Sequence, residues 1–168
     1  MGTPLPRDPI ADARRNWERH GWSEVAAPMA AITAIMRTQQ ILTARIESVL
    51  KPLGLTFARY ELLALLGFAR SGALPMNKAS ALLQVHPTSV TNAVDRLEKA
   101  GLVVRSPHPT DGRTTLIELT SEGRTLAKRA TTALNAEVFA QSGFEDGDVE
   151  QLIQVLGRFR KAAGDFED

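Results

Sequence analysis

Between residues 77 and 119 the hydrophobic period changes once, and that change constrains the fold more than any other feature of the chain. Asn77 can cap a short helix over residues 78–83, the stretch 84–86 is a tight turn, and Pro87 opens a second helix that runs to Lys99 and stops at Gly101. From there the pattern is strand-like. Leu102-Val103-Val104-Arg105 and Thr115-Leu116-Ile117-Glu118-Leu119 are rich in β-branched residues and leucine, and the eight residues from Ser106 to Arg113 between them are dense in turn formers. The segment reads as helix, turn, helix, then a β-hairpin with a long loop.

The rest of the chain is helical. Asp8-Pro9 starts a first helix with Ile10, Ala13 and Trp17 on one side, ended by Gly21. Met29, Ile32, Met36, Leu42, Ile46 and Val49 recur at steps that fit a long second helix, which Pro52 and Gly54 end. Thr56 caps a third helix, and Gly72 and Pro75 break the chain after it. Thr120 or Ser121 caps a long helix expected to reach Ala140. After Ser142-Gly143 a last helix is expected from about residue 146 to 163, with Val149, Leu152, Ile153, Leu156 and Phe159 on one face. No internal repeat is visible.

Composition narrows the class. A chain of 168 residues, 43% hydrophobic and 23% charged, is one domain with enough core to fold unaided. With no cysteine there is no disulfide framework and no thiolate metal site. The N-terminal residues carry no apolar secretory core and no apolar run is long enough to span a membrane, so a cytoplasmic location is expected. The net charge of +1 gives no general attraction to polyanions, so a nucleic-acid binder of this composition must segregate its basic groups locally.

The helix opened by Pro87 keeps its start free of acids. Its first turns hold Thr88, Ser89, Thr91 and Asn92, small hydrogen-bonding residues with no acid among them, although helices otherwise favour acids there. A recognition helix reads base edges with its N-terminal residues and meets phosphate with its positive dipole end. Val90, Val94 and Leu97 supply the inward face. The hairpin loop carries Arg113, suited to a narrow minor groove, and Asp111 can orient its guanidinium. Lys78, Pro87 and Arg96 complete the candidate DNA-binding set. Double-stranded DNA is therefore the expected partner; the competing expectation is a winged helix that binds protein alone. Catalysis has little to stand on. His20, His86 and His108 are the only histidines and have no metal spacing, and Ser89 beside His86 lacks a third orienting group. No cofactor is expected.

The run from Val85 to Val103, followed by Asp111-Gly112-Arg113 and Leu119-Thr120, resembles the MarR family of bacterial transcription regulators. The Asp-x-Arg wing pattern and a Leu-Thr pair opening a helix carry the likeness, which spans roughly residues 29–163. It implies a mainly α protein with a winged helix-turn-helix lobe over residues 55–119, one β-hairpin wing, and a helical dimerisation lobe from both termini (residues 24–51 and 121–163). It also implies a homodimer on a pseudo-palindromic operator, usually a repressor released by a small ligand. The extra helix over residues 9–21, with Trp17, is similar to a urate- or organic-acid-responsive branch. That likeness implies a small organic anion or aromatic effector contacted by Trp17, Tyr60, Glu61 and Arg105. Ala93 stands where the urate branch has an arginine. Trp22, past the Gly21 stop, is expected to be independent of Trp17.

Overall fold

The computed structural model describes residues 4–83, 87–109, 114–145 and 147–167. Seven α-helices and three short strands are seen among them: α1 (Pro9–Arg19), α2 (Ser23–Leu50), α3 (Phe57–Phe68), β1 (Ala73–Pro75), α4 (Met76–Leu83), α5 (Pro87–Lys99), β2 (Val103–Pro107), β3 (Thr115–Leu119), α6 (Ser121–Leu134) and α7 (Asp148–Ala162).

The start signals act as the local sequence dictates. Asp8 accepts the amide of Ile10 at 2.9 Å and Pro9 takes the first position of α1. Thr56 caps α3 by accepting from Arg59 N. Of the two candidates ahead of α6, Thr120 is the cap: its hydroxyl oxygen accepts from Gly123 N at 3.0 Å. The same hydroxyl lies 2.8 Å from the carbonyl of Gly101, so the cap also ties α6 to the turn between α5 and β2. Gly101 has φ +71°, the left-handed conformation that lets the chain leave α5 for the wing.

Two elements depart from expectation. The breakers Gly72 and Pro75 bracket a third strand, β1, which pairs antiparallel with β3 (Leu74 opposite Ile117) at the edge of a sheet ordered β1-β3-β2. Pro75 is tolerated because an edge strand leaves one side of its backbone unpaired. The helix expected to reach Ala140 is α-helical only to Leu134. Residues Asn135–Phe139 then form one π turn, in which Ala140 N donates to Asn135 O at 2.8 Å. The last helix begins at Asp148.

A single core joins both lobes. Leu62, Leu63 and Leu66 of α3 meet Val94 and Leu97 of α5, Ile117 of β3 and Leu134 of α6, all at most 1% exposed. The long helices behave differently. α1 and α7 bury no residue at all. On α2, Ile32, Ile35 and Met36 are exposed, as are Ile153, Val155 and Phe159 on α7. No described helix is long and apolar enough to cross a membrane.

Candidate nucleic-acid interface

α5 is two-faced because its apolar residues recur every three or four positions. Val90, Ala93, Val94 and Leu97 are buried against the core. Thr88, Ser89, Thr91, Asn92 and Arg96 are exposed together on the other side. Among the described residues the first turn of α5 holds no acid, and the basic residues Arg96 and Lys99 fall in its last turn. Pro87 occupies the first helical position, and Lys78 is exposed on α4. The short α4 begins at Met76, directly after β1, so Asn77 lies inside its first turn and does not cap it as expected; its side chain accepts from the amide of Lys78 at 2.8 Å, and Ala79 buries the helix against the core.

The wing follows directly. β2 and β3 pair antiparallel, with Val103 opposite Leu119 and Pro107 opposite Thr115, and His108 N donates to Thr114 O at 3.0 Å to close the base of the loop. Val103 and Ile117 are buried, so the alternate residues of the hairpin face outward. Asp111 and Arg113 of the wing loop lie outside the described residues.

The four residues expected to hold an effector lie on three elements, Trp17 on α1, Tyr60 and Glu61 on α3, and Arg105 on β2. Arg105 is committed to α5: its Nη2 pairs with Asp95 Oδ1 at 2.5 Å, its Nη1 pairs with Glu98, and its amide donates to Glu98 Oε1 at 3.0 Å. Burial opposes the charge of this guanidinium, but the two carboxylates outweigh burial and raise its pKa above the ordinary value. Tyr60 is buried in the core, its hydroxyl 3.2 Å from Thr131 Oγ1. Glu61 is half-buried, and burial raises its carboxyl pKa above the usual 4.5. Trp17 belongs to α1, which packs on α2. Among the described residues no hydrogen bond or ion pair joins these four to one another. Trp22 is not independent of Trp17: the two indoles meet edge to face with ring centres 5.4 Å apart, because the chain doubles back at Gly21. Thr91 and Arg105 do line one cleft, of about 660 Å³, between α4, α5 and the wing.

Asp95 and Glu98 were absent from the residues singled out by sequence, yet they anchor the wing to α5. Their signal was present in the spacing. Residues 95 and 98 share one side of a helix, and strand alternation puts residue 105 on the side of buried Val103, toward α5.

Comparison with known proteins agrees with this geometry. A MarR family sequence model matches residues 53–114. The chain is similar to the HTH-type transcriptional regulator YhbI of Bacillus subtilis, 36% identical over 122 residues that cover 71% of this chain and 72% of that one. It is 31% identical to the HTH-type transcriptional repressor Mb2911 of Mycobacterium bovis, over 73% of this chain and 90% of that protein. The crystal structure of Sco5413, a MarR family transcriptional regulator from Streptomyces coelicolor, superposes with TM-score 0.75 at 48% identity, covering 84% of this chain and 99% of that one. An exposed helix face whose first turn holds no acid, a wing pinned beside it, and relatives of this kind together place the chain in the MarR family, as a winged helix-turn-helix, DNA-binding transcriptional regulator.

Proposed function

We propose that the protein works as a homodimeric repressor in which α5 of each protomer enters the major groove of one half of a pseudo-palindromic operator. The observation that carries this reading is the division of α5. One side is locked into the core, and the other offers Thr88, Ser89, Thr91 and Asn92 at an N-terminus free of acids. Lys78, Pro87 and Arg96 flank that face and contact the sugar–phosphate backbone, while Arg113, oriented by Asp111, enters the adjacent minor groove. The protein carries no catalytic activity and acts in the cytoplasm, where its operator lies.

The effector is a small organic anion or aromatic compound whose binding lowers operator affinity. Trp17, Tyr60, Glu61 and Arg105 remain its proposed contacts. They are distributed over α1, α3 and β2, so a ligand touching them acts on both lobes at once.

Titration of the protein on its own promoter fragment, against a random duplex, tests the DNA reading. Asn92→Ala should cost about 1–3 kcal/mol on the operator if Asn92 pairs with a base edge, and little on random DNA. The logarithm of affinity should fall with the logarithm of salt concentration, because phosphate contacts release counterions. Absence of salt-sensitive binding to the promoter fragment would favour the protein-binding alternative instead.

A further inference from the structure

Arg105 does a job that the family assignment leaves open. It stands in β2, the first strand of the wing, and its guanidinium forks to two carboxylates one helical turn apart on α5. Its own amide donates to the same Glu98, so backbone and side chain of one wing residue both grip the helix. Arg105 is the least exposed of the three ionic groups, with 28% of its side-chain surface accessible against 37% for Glu98 and 55% for Asp95. Such a fork fixes direction as well as distance, since both carboxylates must lie near the guanidinium plane. The turn at Gly101 and apolar contacts around Val103 also join wing and helix, and these fix position more than angle.

We propose that Arg105 is a positioning residue that locks the wing to the recognition helix, so that the two read one half-site as a rigid pair. This rests on the reading of α5 and the wing as the DNA-contacting elements. The physical reason is chelation. A helix in the major groove and a wing in the adjacent minor groove reinforce one another only while their separation matches the duplex. On non-cognate DNA, where contacts are mostly to phosphate, a loose wing forfeits far less.

The test begins by selecting a tight-binding duplex from a randomised pool with the wild-type protein. That duplex and a scrambled one of equal composition are then titrated with the wild type, with Arg105→Met, and with the triple variant Arg105→Met/Asp95→Asn/Glu98→Gln. Arg105→Met should lower the ratio of selected to scrambled affinity by about tenfold. The triple variant should stay at that low ratio, because it restores charge balance on α5 without restoring the tie. Return of the triple variant to the wild-type ratio would show that Arg105 merely masks two acids, and would overturn the proposal. So would an equal loss on both duplexes, the mark of a purely structural residue. If Arg105→Met fails to fold, Arg105→Lys takes its place with the same expected direction, since an ammonium keeps the charge but cannot fork to both carboxylates. Failure of the wild type to enrich any duplex would instead bring down the DNA reading, and this inference with it.

Discussion

Two glycines show how local surroundings, rather than residue type, decide a substitution. A Cβ on Gly123 would run into the backbone carbonyl oxygen of Leu102 and come within 3.0 Å of Leu119 Cδ1, and a carbonyl in that cap cannot swing away. Gly67, in the helix α3, has nothing within 4 Å of the same atom. Gly123→Ala should therefore destabilise by about 1–3 kcal/mol, while Gly67→Ala should stabilise by roughly 0.5–1 kcal/mol through helix propensity. Thermal melting of the pair should give opposite shifts; a gain from Gly123→Ala would contradict the close approach of α6 to the Leu102 carbonyl ahead of β2. Glu61 makes a prediction in pH. Burial holds its folded-state pKa above the ordinary value, so the unfolded chain ionises first and folding loses stability as pH rises through the carboxylate range. Below that range the group is neutral in both states and has no effect. Glu61→Gln should accordingly melt above the wild type at pH 7, with the gap narrowing toward pH 4. An equal gap at both pH values would remove burial as the cause.

Among the elements, the joint between α6 and α7 takes a form that depends on a distant residue. The π turn at Asn135–Phe139 leaves carbonyls without ordinary helical partners, and Arg45 of α2 donates to Glu137 O at 2.9 Å and Ser142 O at 3.4 Å. A guanidinium suits this site because it can serve two carbonyls with one side chain. Arg45→Met keeps the stem and removes the donors. Hydrogen bonds from charged groups contribute about 1.5–3 kcal/mol, so α7 should lose its fixed direction and dimer dissociation should rise by roughly tenfold or more. Sedimentation at graded concentrations measures this, and an unchanged dissociation constant would mean the joint is rigid without Arg45. The same scale shows which elements were legible beforehand. α5 was placed from Pro87 to Lys99 because a proline start, a glycine stop and three apolar positions all agreed. β1 was missed because three residues ending in proline carry no period of their own; it exists only through pairing with β3.

For the whole molecule, the outstanding fact is an unfinished surface. α7 buries nothing in the protomer, and its Val149, Leu152, Ile153 and Leu156 form an apolar groove of about 550 Å³ with Ile35 and Leu42 of α2. Apolar stripes of this kind mark interfaces, and in the proposed homodimer a second protomer covers this one. Leu156 is 37% exposed in the protomer, so an aspartate there costs the isolated chain little. Buried in a dimer, the same unpaired carboxylate is expensive. Leu156→Asp should split the dimer while leaving helical content largely intact. A variant that sediments as the wild type does would place the interface elsewhere.

Helix ends, the inward face of α5 and the hairpin strands follow from rules that act within a few residues: caps, periodicity and turn chemistry. They are legible in the sequence alone, and the expected DNA-reading face on α5 comes with them, since exposure of Thr88, Ser89, Thr91 and Asn92 is the complement of Val90, Val94 and Leu97 being buried. The third strand, the π turn held by Arg45, and the grip of Arg105 on Asp95 and Glu98 have no such local cause. Arg45 meets carbonyls 92 and 97 residues away, and β1 pairs across more than forty residues. Arg105 reaches only seven and ten residues back, but across a glycine turn that lets a strand fold onto a helix. Periodicity tells a residue which side of its own element it occupies; only packing of one element on another decides what stands opposite.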